Sequence, residues 1–211
     1  MIKMQSDSIK TQRIKSRYNR LAFFYNFMEA PIEWLRFGTW RHRLTKRISG
    51  TTALEVGIGT GKNLSYYPHG IKITAIDFSP KMLTRARKAA VKLTINVNLQ
   101  EMDVQDLQFP DNYFDVVFAT FVFCSVPDSV KGLMELKRVC KPGGKLYLLE
   151  HMRPDNALLG FIFDVINPLV VRIVGANINR RTMNNIREAG WRITLEEKLS
   201  TDIVRWIEAS P

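Results

Sequence analysis

Cysteine is scarce in this 211-residue chain: Cys124 and Cys140 stand alone, in no C-x-x-C pair and beside no histidine cluster. A disulfide framework and a zinc site are therefore not expected, and a reducing compartment is the default setting. Met1 to Arg20 is polar and basic with no apolar core of signal-peptide length, which argues against secretion. Long hydrophobic runs are missing too. The most apolar stretch, residues 157–175, is interrupted by Asp164, Asn167-Pro168 and Arg172, whereas a spanning helix needs about 20 predominantly apolar residues. Internal repeats and low-complexity tracts are absent.

Acidic charge is also in short supply. The chain carries 31 Lys and Arg against 20 Asp and Glu, a formal net charge of +11. Residues 1–48 hold eleven of the cations and three of the acids, so less than a quarter of the chain carries +8. Such a patch is attracted to anionic membranes, nucleic acid or acidic substrates, unless it is simply a solvated basic terminus. Hydrophobic residues at 45% predict a folded chain, and the length suits one α/β domain.

The pattern along the chain divides at Ser49-Gly50. Before it, residues 9–28 and 31–48 read as two helices separated by Pro31. After it, short β-rich runs alternate with helical ones: 53–56 then 61–67, 71–76 then 80–92, 96–101, 114–119 then 129–140, and 145–150. That alternation predicts a mainly parallel sheet covered on both faces. Residues 179–189 read as a helix ended by Gly190, and 191–199 with 203–209 as a closing antiparallel hairpin.

The chemistry-bearing signal is Glu55-Val56-Gly57-Ile58-Gly59-Thr60-Gly61, where a buried strand enters a glycine-rich turn. Glycines let a backbone bend sharply and approach a ligand closely. The spacing is G-x-G-x-G rather than the G-x-G-x-x-G of dinucleotide sites. The next strand ends at Asp77, where a carboxylate can accept both hydroxyls of a ribose; Ser79, before Pro80, is the better candidate for the helix cap. Loop and Asp77 together favour an adenosine-type ligand.

With Glu101 to Leu107 and Phe109 to Asp115 added, the chain resembles the class I S-adenosylmethionine (SAM) dependent methyltransferases. The motifs that carry the resemblance are E-V-G-x-G-T-G, I-D-F-S-P-x-M-L, D-V-Q-D-L-x-F-P-D-N-x-F-D and L-K-R-V-C-K-P-G-G, in that order. They are most similar to enzymes of ubiquinone and menaquinone biosynthesis, phospholipid N-methyltransferases and small thiol methyltransferases, over about residues 18–151. The resemblance implies a Rossmann-like, seven-stranded, mainly parallel sheet with a C-terminal antiparallel hairpin, and SAM as cofactor. It implies that Glu55, Gly57, Gly59 and Gly61 line the methionine side of SAM and that Asp77 holds the ribose. Phe78 and Met82 would flank the adenine, Asp103 and Val104 would read its edge, and Thr120 with Phe121 would lie near the sulfonium. Lys141 to Gly144 would be a structural turn.

Tyr18 to Tyr25 resembles the Y-D-R-x-A-x-x-Y-D entry of the quinone-type enzymes, with Asn19 and Asn26 in place of Asp. That segment folds over SAM in those enzymes, which makes Tyr18 and Tyr25 lid candidates; ordinary amphipathic-helix aromatics are the alternative. At the end of the fifth strand His151 is the general-base candidate, weighed against a structural role. Cys124 has nothing beside it to activate it and is expected to be a small packed residue. His42 and His69 are expected at the surface.

Two domains of function are expected: residues 1–48 as a basic, aromatic lid or membrane-contacting unit, and 49–211 as the methyltransferase domain, with 152–190 as a substrate-side insertion. Cations interleaved with Phe23, Phe24, Phe27, Trp34, Phe37 and Trp40 suit an anionic membrane surface. The acceptor expected is therefore lipid-like, with phosphatidylethanolamine-type N-methylation first and thiol S- or quinone-type C-methylation as alternatives. Three rival readings are a nicotinamide-dependent reductase, a nucleic-acid methyltransferase, and a non-catalytic SAM-binding membrane adaptor. The first two lack their motifs, so no nucleic-acid partner is expected. The expected location is cytoplasmic, peripheral at the membrane, with oligomeric state open.

Overall fold

A computed structural model describes residues 37–173, 176–200 and 202–211. The lid candidates Tyr18 and Tyr25, and the N-terminal helix over 9–28, lie outside the described residues. The described part begins with helix α1 (Gly38–Thr45) and continues β1 (Thr52–Val56), β2 (Lys72–Asp77), α2 (Pro80–Leu93), β3 (Asn98–Glu101), β4 (Phe114–Thr120), α3 (Ser129–Val139) and β5 (Cys140–His151). Helices α4 (Ala157–Ile173) and α5 (Thr182–Glu188) and strands β6 (Arg192–Ser200) and β7 (Val204–Ser210) complete it.

The seven strands form one sheet in the order β3-β2-β1-β4-β5-β7-β6. β1 to β5 are parallel, and β7 runs antiparallel to both β5 and β6. Alternation along each strand sorts side chains to two faces. Leu54, Val56, Val117, Ala119, Leu146 and Leu148 share one apolar cluster with Leu133 and Leu136 of α3 and Ile186 of α5. Ala53, Ile73, Ala75, Val116, Phe118 and Leu149 share the other with Leu44 of α1 and Leu83 and Ala86 of α2. The core is thus split by the sheet, and β1 and β4 are buried on both sides, as their unbroken apolar runs require.

Local signals explain the boundaries. Ser79 caps α2 by accepting from the Met82 N–H (3.2 Å), with Pro80 in its first turn. Thr94 closes it in the left-handed region at φ 55°. Two expectations need correction. The helix expected over 61–67 is a single 3-10 turn at Leu64–Tyr66, because Gly61 takes φ +89° and Pro68 holds Tyr67 extended. The fifth strand begins at Cys140 rather than Lys145; pairing jumps from Phe114↔Cys140 to Val116↔Lys145, so the Pro142-Gly143-Gly144 turn is an irregularity inside it.

The D-V-Q-D-L-x-F-P-D-N loop before β4 is held by α3. Arg138 donates to the carbonyls of Leu107 (2.8 Å) and Phe109 (2.8 Å) and pairs with Asp111 and Glu135. Glu135 in turn accepts the Leu107 N–H at 2.9 Å. No described helix is long and apolar enough to cross a membrane.

Candidate functional site: a cleft at the strand ends

Where β1, β2 and β4 end, the sheet opens into a cleft. Loops leaving parallel strands diverge to opposite faces at such a point, which is where open α/β sheets bind ligands. Gly57, Gly59, Asp77, Phe78, Met82, Asp103, Val104 and Thr120 all line it. Glu55 and Gly61 do not. They stand behind the loop, where Gly61 lets the chain pass over the Leu64 side chain, 2.5 Å from where a Cβ would sit.

Asp77 organises the loop. Its Oδ2 accepts the Gly59 N–H (2.9 Å) and its Oδ1 the Ser79 N–H (2.8 Å), so one carboxylate joins the glycine turn to the cap of α2. Gly57 takes φ +66° and a Cβ there would lie 2.5 Å from Val122. Gly59 takes φ +57° and a Cβ there would meet nothing within 4 Å, so the cradle is open on the side facing the cleft. Across it, Asp103 accepts the Gln105 N–H (3.0 Å) and its side-chain amide, and Gln105 accepts the Asp128 N–H (2.9 Å). This ties the β3 loop to the start of α3. An open glycine cradle, a strand-end carboxylate and an apolar slot at Met82 and Val104 fit an adenosine-bearing cofactor.

A buried polar network lies under the cradle. Glu55 is 1% exposed and accepts from Asn63 Nδ2 (2.7 Å) and from the Tyr67 hydroxyl. Burial pushes its carboxyl up to about 7, against the opposing effect of those hydrogen bonds. Arg41 continues the network, donating to Asn63 Oδ1 (3.1 Å) and Thr120 Oγ1 (2.7 Å), with its guanidinium 5.4 Å from the Phe121 ring. Arg41 is 5% exposed and lines the cleft. Sequence reasoning missed it, counting it only among the basic charges, and no motif marks it. Only its place on α1, between the core residues Phe37 and Leu44, distinguishes it from the solvated cations.

The wall after β4 is also held from beneath. Glu150, fully buried, accepts the N–H groups of Val122 (2.9 Å) and Phe123 (3.1 Å), and burial pushes its carboxyl up to about 7. Phe121, which also lines the cleft, takes φ +58°, a conformation costly for an aromatic residue. Cys124 is buried and its thiol is pushed up to about 12 by desolvation and then by Glu150, which makes it inert at neutral pH. His42 and His69 are exposed.

His151 does not line the cleft. Its ring stacks on Phe121 at 4.4 Å and 26°, one layer back, with Phe37 at 5.9 Å. Burial, and then the Arg41 charge, lower its value to about 4, so the imidazole is neutral at pH 7. A folded value below the ordinary 6.5 means that the unfolded chain binds the proton more tightly. The stabilisation is full above about pH 6.5 and is lost as pH falls towards 4. His151→Gln is therefore expected to remove roughly 2–3 kcal/mol of acid sensitivity, read as a smaller difference between urea unfolding at pH 7 and at pH 4.5. Glu55 and Glu150 act with the opposite sign over that interval but are common to both proteins. Equal pH dependence in the two would refute the assignment.

Comparison with known proteins agrees with this geometry. The methyltransferase domain family matches residues 54–148. The chain is 38% identical to a phosphatidylethanolamine N-methyltransferase of Cereibacter sphaeroides over 115 residues, 54% of this chain and 57% of that one, so it spans little more than half the relative's length. It is 32% identical to a demethylmenaquinone methyltransferase of Shouchella clausii over 177 residues, 78% of this chain and 75% of that one. Its fold matches that of a SAM-dependent methyltransferase from Thermotoga maritima at a TM-score of 0.69 and 19% identity, covering 93% of this chain and 99% of the other. The sheet, the glycine cradle and these matched lengths have one meaning: this chain belongs to the class I SAM-dependent methyltransferases.

Proposed function

We propose that this enzyme methylates a lipophilic acceptor, with a phospholipid amine of the phosphatidylethanolamine type as the first reading. The observation that carries it is the acceptor end of the cleft. Phe121, Val122, Val126 and Pro127 supply an apolar wall beyond Thr120. The relative named for phosphatidylethanolamine supports it. A quinol is the second reading, because the demethylmenaquinone relative matches over more of its length.

SAM supplies an electrophilic sulfonium methyl for in-line displacement, so alignment and exclusion of water contribute most of what the protein must add. In this reading Asp77, held in place by the Gly59 and Ser79 N–H groups, receives the ribose hydroxyls. Gly57 and Gly59 admit the methionine portion, Phe78 and Met82 flank the adenine, and Asp103 with the Val104 backbone reads its edge. Thr120 is oriented by Arg41 at the methyl side. Glu55 acts through Asn63 and Tyr67 as a positioning residue, and His151 positions Phe121. With its value near 4, His151 is a weak base for an ammonium acceptor; the amine loses its proton to solvent. Residues 1–48, with Tyr25, form the lid or membrane-contacting unit, and 152–190 the acceptor-side insertion.

Incubation with methyl-labelled SAM and a total lipid extract, beside panels of thiols, quinols and RNA, tests the acceptor. Label is expected in the amine-containing phospholipid fraction, several-fold above every other arm. Label confined to the quinols would favour the second reading, and label confined to thiols or RNA would overturn both.

A further inference from the structure

Helix α4 is built inside out. Two of its polar side chains bond back to the domain: Asp164 pairs with Arg153 (3.0 Å) and accepts from Asn179 (3.0 Å), and Asn167 accepts the Ile178 N–H (2.9 Å). Gly160, its buried residue, lies against the Arg153 guanidinium. The large apolar side chains face away. Leu158, Phe161, Val165, Leu169 and Ile173 are 61–71% exposed, and their spacing of three and four residues places them on one stripe. A surface helix of a globular protein normally buries that stripe, and a contiguous exposed apolar patch marks an interaction site.

We infer that α4 is a membrane-docking helix that lays this stripe into an anionic lipid surface. Charge selects the occupant. The acids on and beside α4 are neutralised: Asp164 by Arg153, and Asp155 by Lys198 and Arg205. Arg172, in its last turn, and Arg181, at the start of α5, are exposed, and among the described residues neither forms a salt bridge. A chain of net charge +11 repels a second copy of itself and is drawn to anionic headgroups. The helix has 17 residues and contains Asp164, Pro168 and Arg172, which suits lying in the interface and not crossing it.

The segment after α4 is bonded to the acceptor wall. The Asn177 N–H donates to the Cys124 carbonyl (2.8 Å), as does its side-chain amide (3.2 Å), and Arg180 donates to the Val126 carbonyl (2.7 Å). Ser125, Val126 and Pro127 of that same loop line the cleft. Docking through α4 thus couples the bilayer surface to the wall over which an acceptor enters; this last step rests on the lipophilic-acceptor reading, whereas the docking itself does not.

Sedimentation of the full chain with vesicles of phosphatidylcholine, and of phosphatidylcholine mixed with phosphatidylglycerol, tests it. The wild type is expected to bind the anionic vesicles preferentially. Phe161→Glu combined with Val165→Glu is expected to lower that partition by about 30-fold or more, with unchanged SAM affinity by calorimetry as the control for folding. Arg172→Glu with Arg181→Glu is expected to lower it by about tenfold. Undiminished vesicle binding by the Phe161/Val165 variant would overturn the inference. So would a concentration-dependent dimer, seen by analytical ultracentrifugation, that the same variant dissolves. Wild-type methylation of detergent-dispersed lipid without vesicle binding would overturn docking and leave the acceptor reading standing. Vesicle binding without methylation of any lipid would do the reverse.

Discussion

Asp77→Ala is expected to lower SAM affinity by at least about 100-fold. The side chain is 5% exposed and accepts two backbone N–H groups, Gly59 at 2.9 Å and Ser79 at 2.8 Å. Hydrogen bonds to a charged group contribute about 1.5–3 kcal/mol each, and 100-fold corresponds to about 2.7 kcal/mol. Loss of both, together with the proposed ribose contact, therefore reaches that figure even if the loop relaxes in part. Asp77→Asn does not rescue it, because an amide group turned towards Gly59 or Ser79 sets a donor against a donor. Asp77 is the last residue of β2, so the apolar core on either face is untouched and far-ultraviolet circular dichroism should stay near wild type. Isothermal calorimetry reads the affinity; a loss smaller than fivefold would show that the loop is held by something else.

Gly57→Ala carries the second large effect. At φ +66° an L side chain costs about 1–2 kcal/mol, and here the added Cβ would also lie 2.5 Å from Val122 Cγ2. Val122 has little room to retreat, since its N–H is held by the buried Glu150 at 2.9 Å. The loop must move instead, so both SAM affinity (by about 100-fold) and thermal stability are expected to fall. Gly59→Ala separates the two consequences. Its φ is similar at +57°, but its Cβ would meet open space. The unliganded protein is then expected to lose only about 1–2 kcal/mol from backbone strain, while SAM affinity still falls steeply. Calorimetry paired with thermal unfolding decides this. Equal unfolding midpoints for the Gly57 and Gly59 variants would remove the steric argument.

Much of the fold was legible in advance because its signals are short-ranged. The alternation that buries β1 and β4 on both faces, the Ser79-Pro80 cap and the Gly190 stop each act over a few residues. The glycine turn was legible because a backbone that must adopt positive φ admits few residue types, and Asp77 because it closes the next strand. Errors fell where tertiary pairing overrides local pattern. The helix expected after the glycine loop shortened to one 3-10 turn between Gly61 and Pro68, and β5 extended back through Pro142-Gly143-Gly144 because Phe114 pairs with Cys140.

The sequence by itself determined the sheet, the cofactor cradle and the family, since glycine spacing, strand alternation and caps are written in neighbouring residues. What the cradle rests on was decided by tertiary structure. Arg41 reaches Thr120 across 79 positions, and Glu150 holds Val122 across 28; at the unfolded stage neither is more than one charge among many. The same is true of His151, whose place one layer behind Phe121, out of the cleft, follows from packing of three elements and not from its position at a strand end. Helix α4 shows the limit most plainly. Its sequence is apolar with a few polar interruptions, and only the positions of Arg153, Asn177 and Asn179 tie Asp164 and Asn167 back to the domain and leave the apolar stripe facing out. Periodicity gives a helix its two faces; which face meets the core depends on the polar partners that the rest of the chain brings to it.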